Sequence, residues 1–408
     1  MKFYKNLVVP SDRMGLIWTL CTIENACIVE FGPTGTTHYA VEAIGQLNGE
    51  ALAKRYSTHM SETDITFGSY DRLIDSIREI DINIKPKYIF VLISSITSII
   101  GSDIHGICSE ISHEVNAKII SIDIGGLKDD YNRGVEKGLE LIAKNIVKDN
   151  LEKTDTFNII DSNIDCFNFL SDCEEIKRMM KSIFNKEVNT IFTAYTDIES
   201  LENASKANLN IVLREEGLKA AVYMENKFKI SYIYIYIYYK PIGFTQTMKW
   251  IDMIKEKTNY VINLDNIKEE EKIIKKHMFR VNMKIKLLKN KNIAIFADKD
   301  TLLSVKEFMK ELNFNVHRAE IIHNYKVDDE SVIVDSGELN ILKYLENESL
   351  AMLLADGRTL KMKHKSNLDI QISNPNLKEI KVNPYNPFVG FGGTIHFMEK
   401  NYRLKNFN

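Results

Sequence analysis

The stretch Ala26-Cys27-Ile28-Val29-Glu30-Phe31-Gly32-Pro33-Thr34-Gly35-Thr36-Thr37-His38-Tyr39 decides how the rest of the chain is read. Ala26 to Phe31 is a short apolar run of the kind a buried strand needs. It breaks at Gly32-Pro33. Gly35 supplies a second tight backbone position, and a helix pattern starts at Thr37. A strand–loop–helix junction of this kind aims backbone N–H groups and side chains at one point, where a ligand can sit. Thr36 and Thr37 bring hydroxyls to that point. The same hydroxyls would equally serve a helix N-cap with no ligand.

Outward from that junction the chain alternates strands and helices. A helix runs from Thr37 to Leu47, Asn48-Gly49 breaks it, and a polar segment with Glu62, Asp64 and Phe67-Gly68 follows. Leu73, Ile74 and Ile77 give a helix over Tyr70 to Ile80. Tyr88 to Ile93 is continuously apolar, the mark of a strand covered on both faces. Ser94-Ser95 follows it, Ile99 to Ile104 enters another helix, and Lys118 to Ile124 makes a further strand. This βαβα order implies a parallel sheet with right-handed crossovers. Ligands then bind beyond the carboxyl ends of the strands, where the Gly32–Thr36 and Ser94–Ser95 loops open.

The pattern restarts twice. After a charged link, Asp149 to Asp155, strands are expected at Phe157–Ile160, Val188–Thr193 and Ser231–Tyr239, with a helix over Ser205 to Phe228. The alternating tyrosines of Tyr232 to Tyr238 make either an amphipathic outer face or an aromatic ligand shelf. A highly charged helix, Ile267 to Leu288, leads to strand Asn292–Ala297, helix Thr301–Leu312 and strands Ser331–Val334 and Ala351–Leu354. The expected fold class is α/β, with three Rossmann-like domains built on parallel sheets. Their spans are 1–150, 151–265 and 266–375, and a C-terminal segment, 376–408, packs back on the body.

Composition narrows the function. Across 408 residues, 27% are charged and the net charge is -3, without a basic tract, so neither nucleic acid nor an anionic membrane is an expected partner. The start lacks a secretory pattern and no apolar run reaches spanning length, which points to a soluble cytoplasmic protein with no membrane partner. Five scattered cysteines (Cys21, Cys27, Cys108, Cys166, Cys173) form no CxxC or zinc spacing and read as buried reduced thiols. GxGxxG and P-loop patterns are lacking, so nucleotide binding has no direct support.

Six motifs in order carry a resemblance. Gly32-Pro33-Thr34-Gly35-Thr36 is similar to an HGPxGC loop, and Ser61 to Gly68 to an E-x-D-x-x-F-G-G segment. Ser94 to Asp103 is similar to T-C-x-x-x-I-I-G-D-D; Asn208-Leu209-Asn210, Pro241-Ile242-Gly243 and Pro387 to Gly393 match later landmarks. The chain thereby resembles the nitrogenase component 1 family, which includes the nitrogenase molybdenum–iron subunits, their cofactor-assembly scaffolds and dark-operative protochlorophyllide reductase.

The resemblance implies an oxidoreductase subunit, but the departures matter as much. Members hold an interfacial iron–sulfur cluster with cysteines from three N-terminal loops, thiolates being the ligands that bind iron well. Here those positions fall near Ser11 and at Thr36 and Ser95. A hydroxyl is a far weaker acid than a thiol, whose pKa is about 8.5. No residue of this chain is therefore assigned as a metal ligand. An iron–sulfur cluster at a subunit interface would take its ligands mainly from a homologous cysteine-bearing subunit, with Asp12, Glu30, Thr36 or Ser95 near it. The alternative is a chain without a cluster, acting as a structural subunit or a scaffold for a cofactor precursor. Electrons would come from an ATP-dependent, nitrogenase iron protein-like reductase. At the position of the family's second metal site stands Leu213, so no molybdenum–iron cofactor is expected. An organic substrate would fit instead, with Arg214 offering bidentate hydrogen bonds to a carboxylate. Read without a ligand, Arg214-Glu215-Glu216 is a solvated helix start. His38 and His105 are the candidate proton donors, and His396 stands in the C-terminal glycine-rich segment; each also reads as a surface or capping histidine.

Overall fold

The computed structural model describes residues 9–47, 49–234, 240–377, 385–401 and 403–404, the side chains of 37 and 39–41 aside. Three parallel sheets carry the architecture. In the first, strand Cys27–Phe31 lies between Lys54–Ser57 and Tyr88–Ile93, and Lys118–Ile122 completes the sheet. All six residues of Tyr88–Ile93 are buried, as the continuous apolar run requires of a strand covered by helices on both faces. The second sheet runs Glu187–Thr193, Thr156–Ser162, Leu209–Val212, Ser231–Ile233, and the third Ile333–Val334, Asn315–Ile321, Asn292–Ala297, Met352–Asp356, Asp369–Ser373.

The three sheets share their cores. Leu16, Phe90, Val135, Ile160 and Phe192 join the first sheet to the second in one apolar cluster. Phe157, Met179, Trp250, Ile295, Leu354 and Phe397 join the second to the third. Each such side chain stabilises the fold by about 1.5–3 kcal/mol through burial, so the sheets are held to one another by much the same means as within themselves. The C-terminal helix Gly390–Asn401 is fixed to helix Phe169–Phe184, where Asp172 accepts from the Phe388 N–H (2.6 Å) and Glu175 from the Gly392 N–H (2.8 Å).

Several local expectations are revised. The helix after the first strand covers Thr34–Ile44, three residues earlier than its apolar pattern indicates, because Pro33 serves as N-cap and presets the turn. Gly35 sits in that helix's first turn with open space where a Cβ would stand, so it is not a second tight position. The helix placed over Ser205 to Phe228 is instead a short turn Asn203–Lys206, strand Leu209–Val212, turn Glu215–Gly217 and helix Leu218–Phe228. Its strand is fully buried, and Asn210 accepts from Asn158 Nδ2 across the sheet at 2.8 Å. Of the tyrosine run, Tyr232 to Tyr234 is described, with strand geometry as far as Ile233; 235–239 lie outside the described residues.

Candidate functional site

Helix Asp12–Cys21 forms one wall of a cavity between the first and third sheets, and all ten of its residues are buried. It crosses helix Tyr131–Asn145 at bare backbone. A Cβ on Gly15 would lie 1.8 Å from the Tyr131 carbonyl oxygen, and one on Gly134 would lie 1.7 Å from the Asp12 carbonyl oxygen. Only glycine permits that approach. The crossing sets the Trp18 ring 5.7 Å from the Tyr131 ring and presents Ser11, Arg13 and Met14 to a cavity of about 670 Å³.

The loops that follow the first sheet's strands supply the next wall. Gly32 packs against Ser94, where a Cβ would come within 2.4 Å, so the two loops close on each other. Ser94 starts helix Ser95–Ile99 with a capping box: its Oγ accepts from the Thr97 N–H (3.2 Å), and the Thr97 hydroxyl accepts from the Ser94 N–H (2.8 Å). Gly35, Thr36 and Ser95 line the same cavity as Ser11. The far wall comes from the third sheet, through Ile322, Arg358, Asn374 and Pro375.

Hydrogen bonding shows what these hydroxyls do. Thr36 Oγ1 donates to Glu30 Oε1 (2.9 Å) and to the Pro33 carbonyl (2.8 Å). Ser95 Oγ donates to the Gly125 carbonyl (2.6 Å). Glu30, a charge inside an apolar strand, is 3% exposed and pairs with the buried guanidinium of Arg13. Thr36 and Ser95 are thus turned to the protein's own oxygens, and no thiol stands among the cavity's lining residues. Cys21, Cys27, Cys108 and Cys173 are buried, and burial pushes their thiols up to about 12, 11, 12 and 12. Cys166, half-buried next to Asp165, is also raised by burial, against the pull of Arg214. Among the described residues no group of three or more His, Cys, Asp or Glu is placed to hold a metal ion. The residues present do not fit an iron–sulfur cluster held by this chain alone.

The remaining candidates separate. Gly32 and Pro33 shape the turn without lining the cavity. Asp12 faces a different cleft with Ser98, Gly125 and Asp129, and burial raises its carboxyl above the ordinary value. His38 is exposed, and His105 is exposed with Nδ1 2.7 Å from Ser121 Oγ; neither lines the cavity. His396 is buried and stacked on Phe388.

Arg214 is neither a solvated helix start nor a wall of the cavity. It is 2% exposed, bound to Asp161 and held by both oxygens of Asp165 (2.7 and 3.1 Å), with Glu216 4.0 Å away. Burial raises the carboxyls of Asp161, to about 7, and of Glu216, in both cases against the attraction of Arg214. The residues that sequence reasoning missed are Arg13, Trp18, Arg358 and Asn374. An arginine two residues after Ser11, at the start of a largely apolar helix, together with Glu30 in an apolar strand, was the available signal for the first of them.

A family model described as "Nitrogenase component 1 type Oxidoreductase" matches residues 11–404. The "Nitrogenase iron-molybdenum cofactor biosynthesis protein NifE" of Clostridium pasteurianum is 27% identical over 279 residues, covering 67% of this chain and 59% of that protein. A light-independent protochlorophyllide reductase polypeptide of Huperzia lucidula is 25% identical over 304 residues, covering 66% and 58%. The chain therefore spans less than two-thirds of the length of either relative. A solved structure, "Nitrogenase Cp1 at pH 6.5", superposes with a TM-score of 0.81 at 16% identity over 98% of this chain and 93% of that one, a likeness of fold. No described helix is long and apolar enough to cross a membrane. Matched over nearly its whole length, the chain belongs to the nitrogenase component 1 type oxidoreductase family.

Proposed function

We propose that the chain is a nitrogenase-like oxidoreductase subunit that works with a homologous, cysteine-bearing subunit and an ATP-dependent iron protein-like reductase. Any interfacial iron–sulfur cluster would draw its ligands mainly from the partner. This chain contributes the cavity wall, where a small substrate is held for reduction. The observation that carries this reading is the convergence of Ser11, Thr36 and Ser95 on one 670 Å³ cavity without a thiol among its lining residues. Three hydroxyls at the family's cysteine positions keep the loop geometry and remove the soft ligands. Arg214, Asp161 and Asp165 take a structural role in it, holding the second unit together beside the cavity.

A scaffold role, holding a cofactor precursor, is the second reading; the similarity to a protein named for iron-molybdenum cofactor biosynthesis favours it. Metal analysis after anaerobic purification tests the proposal. The chain is prepared alone and co-expressed with a cysteine-bearing paralogue, and iron and acid-labile sulfide are measured in both. The expected result is iron in the complex and none in the chain alone. Iron in neither preparation contradicts the redox-subunit reading and leaves the scaffold.

A further inference from the structure

The even charge balance of the chain breaks over one segment. From Lys272 to Lys291, eight of twenty residues are Lys or Arg and none is Asp or Glu, although the whole chain carries a net charge of -3. Most of the segment lies in helix Leu264–Lys286. One side of that helix is buried through Ile267, Ile274, Val281 and Ile285, which join the core shared by the second and third sheets. At 3.6 residues per turn, Phe279, Met283 and the C-cap Leu287 come out on the other side, four residues apart in one stripe. They are 69%, 44% and 72% exposed.

Lys272, Lys276, Arg280 and Lys286 flank the stripe. All four are exposed, and no carboxylate among the described residues pairs with them. Local helix energetics do not account for them. The helix dipole favours cations in the last turn, and Lys272, Lys276 and Arg280 lie before it. An i,i+4 pair explains Lys275, which binds Glu271, but not these three.

We infer that this face docks on an anionic lipid surface, its cations meeting the headgroups while Phe279, Met283 and Leu287 enter the boundary of the acyl layer. Charge and apolar surface together select the occupant. Four to eight cations clustered on an amphipathic helix are what anionic headgroups attract, and large apolar side chains in their midst supply the hydrocarbon contact. A protein partner fits less well, because the cores of protein interfaces are depleted in lysine and seven of these eight cations are lysines. A nucleic-acid strand fits less well too. Its bases stack on successive aromatic rings, and Phe279 is the one Phe, Tyr or Trp of the segment. The helix adds no residue to the cavity lining, so the inference goes beyond the subunit reading and does not depend on it. It departs from the expectation, drawn from whole-chain charge, that no membrane is a partner; the contact is with the surface, since no described helix is long and apolar enough to cross.

Vesicle co-sedimentation of the full-length chain tests this at about 0.15 M salt, with phosphatidylcholine vesicles alone and with about 30% phosphatidylserine. The expected result is at least about tenfold tighter binding to the serine-containing vesicles, falling as salt is raised. The double variant Lys276→Glu, Arg280→Glu should weaken that binding by more than about tenfold, and Phe279→Ser by about three- to tenfold. Far-UV circular dichroism checks that the variants fold, and either folded variant suffices for the test. Equal binding to the two vesicle types, no binding to either, or undiminished binding of a folded variant overturns the inference. So does a dimer in sedimentation velocity that Phe279→Ser dissociates, which would assign the face to a second copy of the chain. Tighter binding to single-stranded DNA than to the serine-containing vesicles overturns it as well.

Discussion

Around Arg214, three carboxylates close on one guanidinium that is 2% exposed; around Ser11, Thr36 and Ser95, hydroxyls ring an accessible cavity. Both regions are polar, and both stand where the family resemblance placed metal chemistry. They differ in where their hydrogen bonds go. Arg214 is held by Asp161 and by both oxygens of Asp165, so these three depend on one another for their stability, although Arg214 Nε and Asp161 Oδ2 have no hydrogen-bond partner among the described residues. At the cavity, Thr36 and Ser95 donate to Glu30 and to the Pro33 and Gly125 carbonyls, on a wall that stays accessible. A guanidinium in a sequence is thus a poor guide to anion binding until its neighbours are known.

Four substitutions test that contrast, beginning with the largest effect. Arg214→Met leaves Asp165 buried without its counter-ion and Asp161 without its partner, and urea unfolding should show a loss of about 3–5 kcal/mol. A loss no larger than that of a surface substitution would mean that the group is not structural. Second, pH should act through Asp161, whose carboxyl burial pushes up to about 7 from an ordinary value of 3.8. Between those values the native state holds a proton that the unfolded chain has released. Stability from this group is therefore full below 3.8 and is lost as pH rises towards 7, at up to about 1.4 kcal/mol per pH unit. Asp161→Asn, which cannot ionise, should gain on the wild type as the pH of the denaturation series is raised from 4 to 7. A constant difference between the two proteins would contradict this.

Third, Gly134→Ala forces a methyl into the Asp12 carbonyl and should destabilise by about 1–3 kcal/mol. The same change should shift Trp18 emission, since the crossing positions that ring. An unchanged emission would detach the cavity wall from the helix crossing. The smallest effect belongs to Ser95→Ala, which removes one hydrogen bond to the Gly125 carbonyl, about 0.5–1.5 kcal/mol by thermal melting. A loss as large as that of Arg214→Met would erase the distinction between the two regions.

The fold was legible in the sequence where burial is complete. Tyr88–Ile93 and Asn292–Ala297 have the boundaries that their apolar runs indicate, because a strand covered on both faces carries few polar positions to blur its ends. Lys54–Ser57, Asn315–Ile321 and Asp369–Ser373 were missed: each carries several polar side chains, and all but Asn315–Ile321 lie at a sheet edge. Of the site, the convergence of Ser11, Thr36 and Ser95 was legible through motif order. Arg358 and Asn374 were not, since they lie more than 260 residues further along and reach the cavity through the third sheet. The enclosure of Arg214 was equally hidden, because Asp161 and Asp165 lie about 50 residues earlier and become its partners only in the folded second unit.

The central claim is that the hydroxyl-bearing loops, and not the Arg214 group, form the face shared with a partner. Hydrogen–deuterium exchange on the chain alone and in complex with its cysteine-bearing paralogue tests it most directly. The account expects slowed exchange over 9–18, 32–37, 94–101 and 123–128, with 161–166 and 213–217 equally protected in both states. Unchanged exchange in the N-terminal loops, or new protection confined to 161–166 and 213–217, would contradict it.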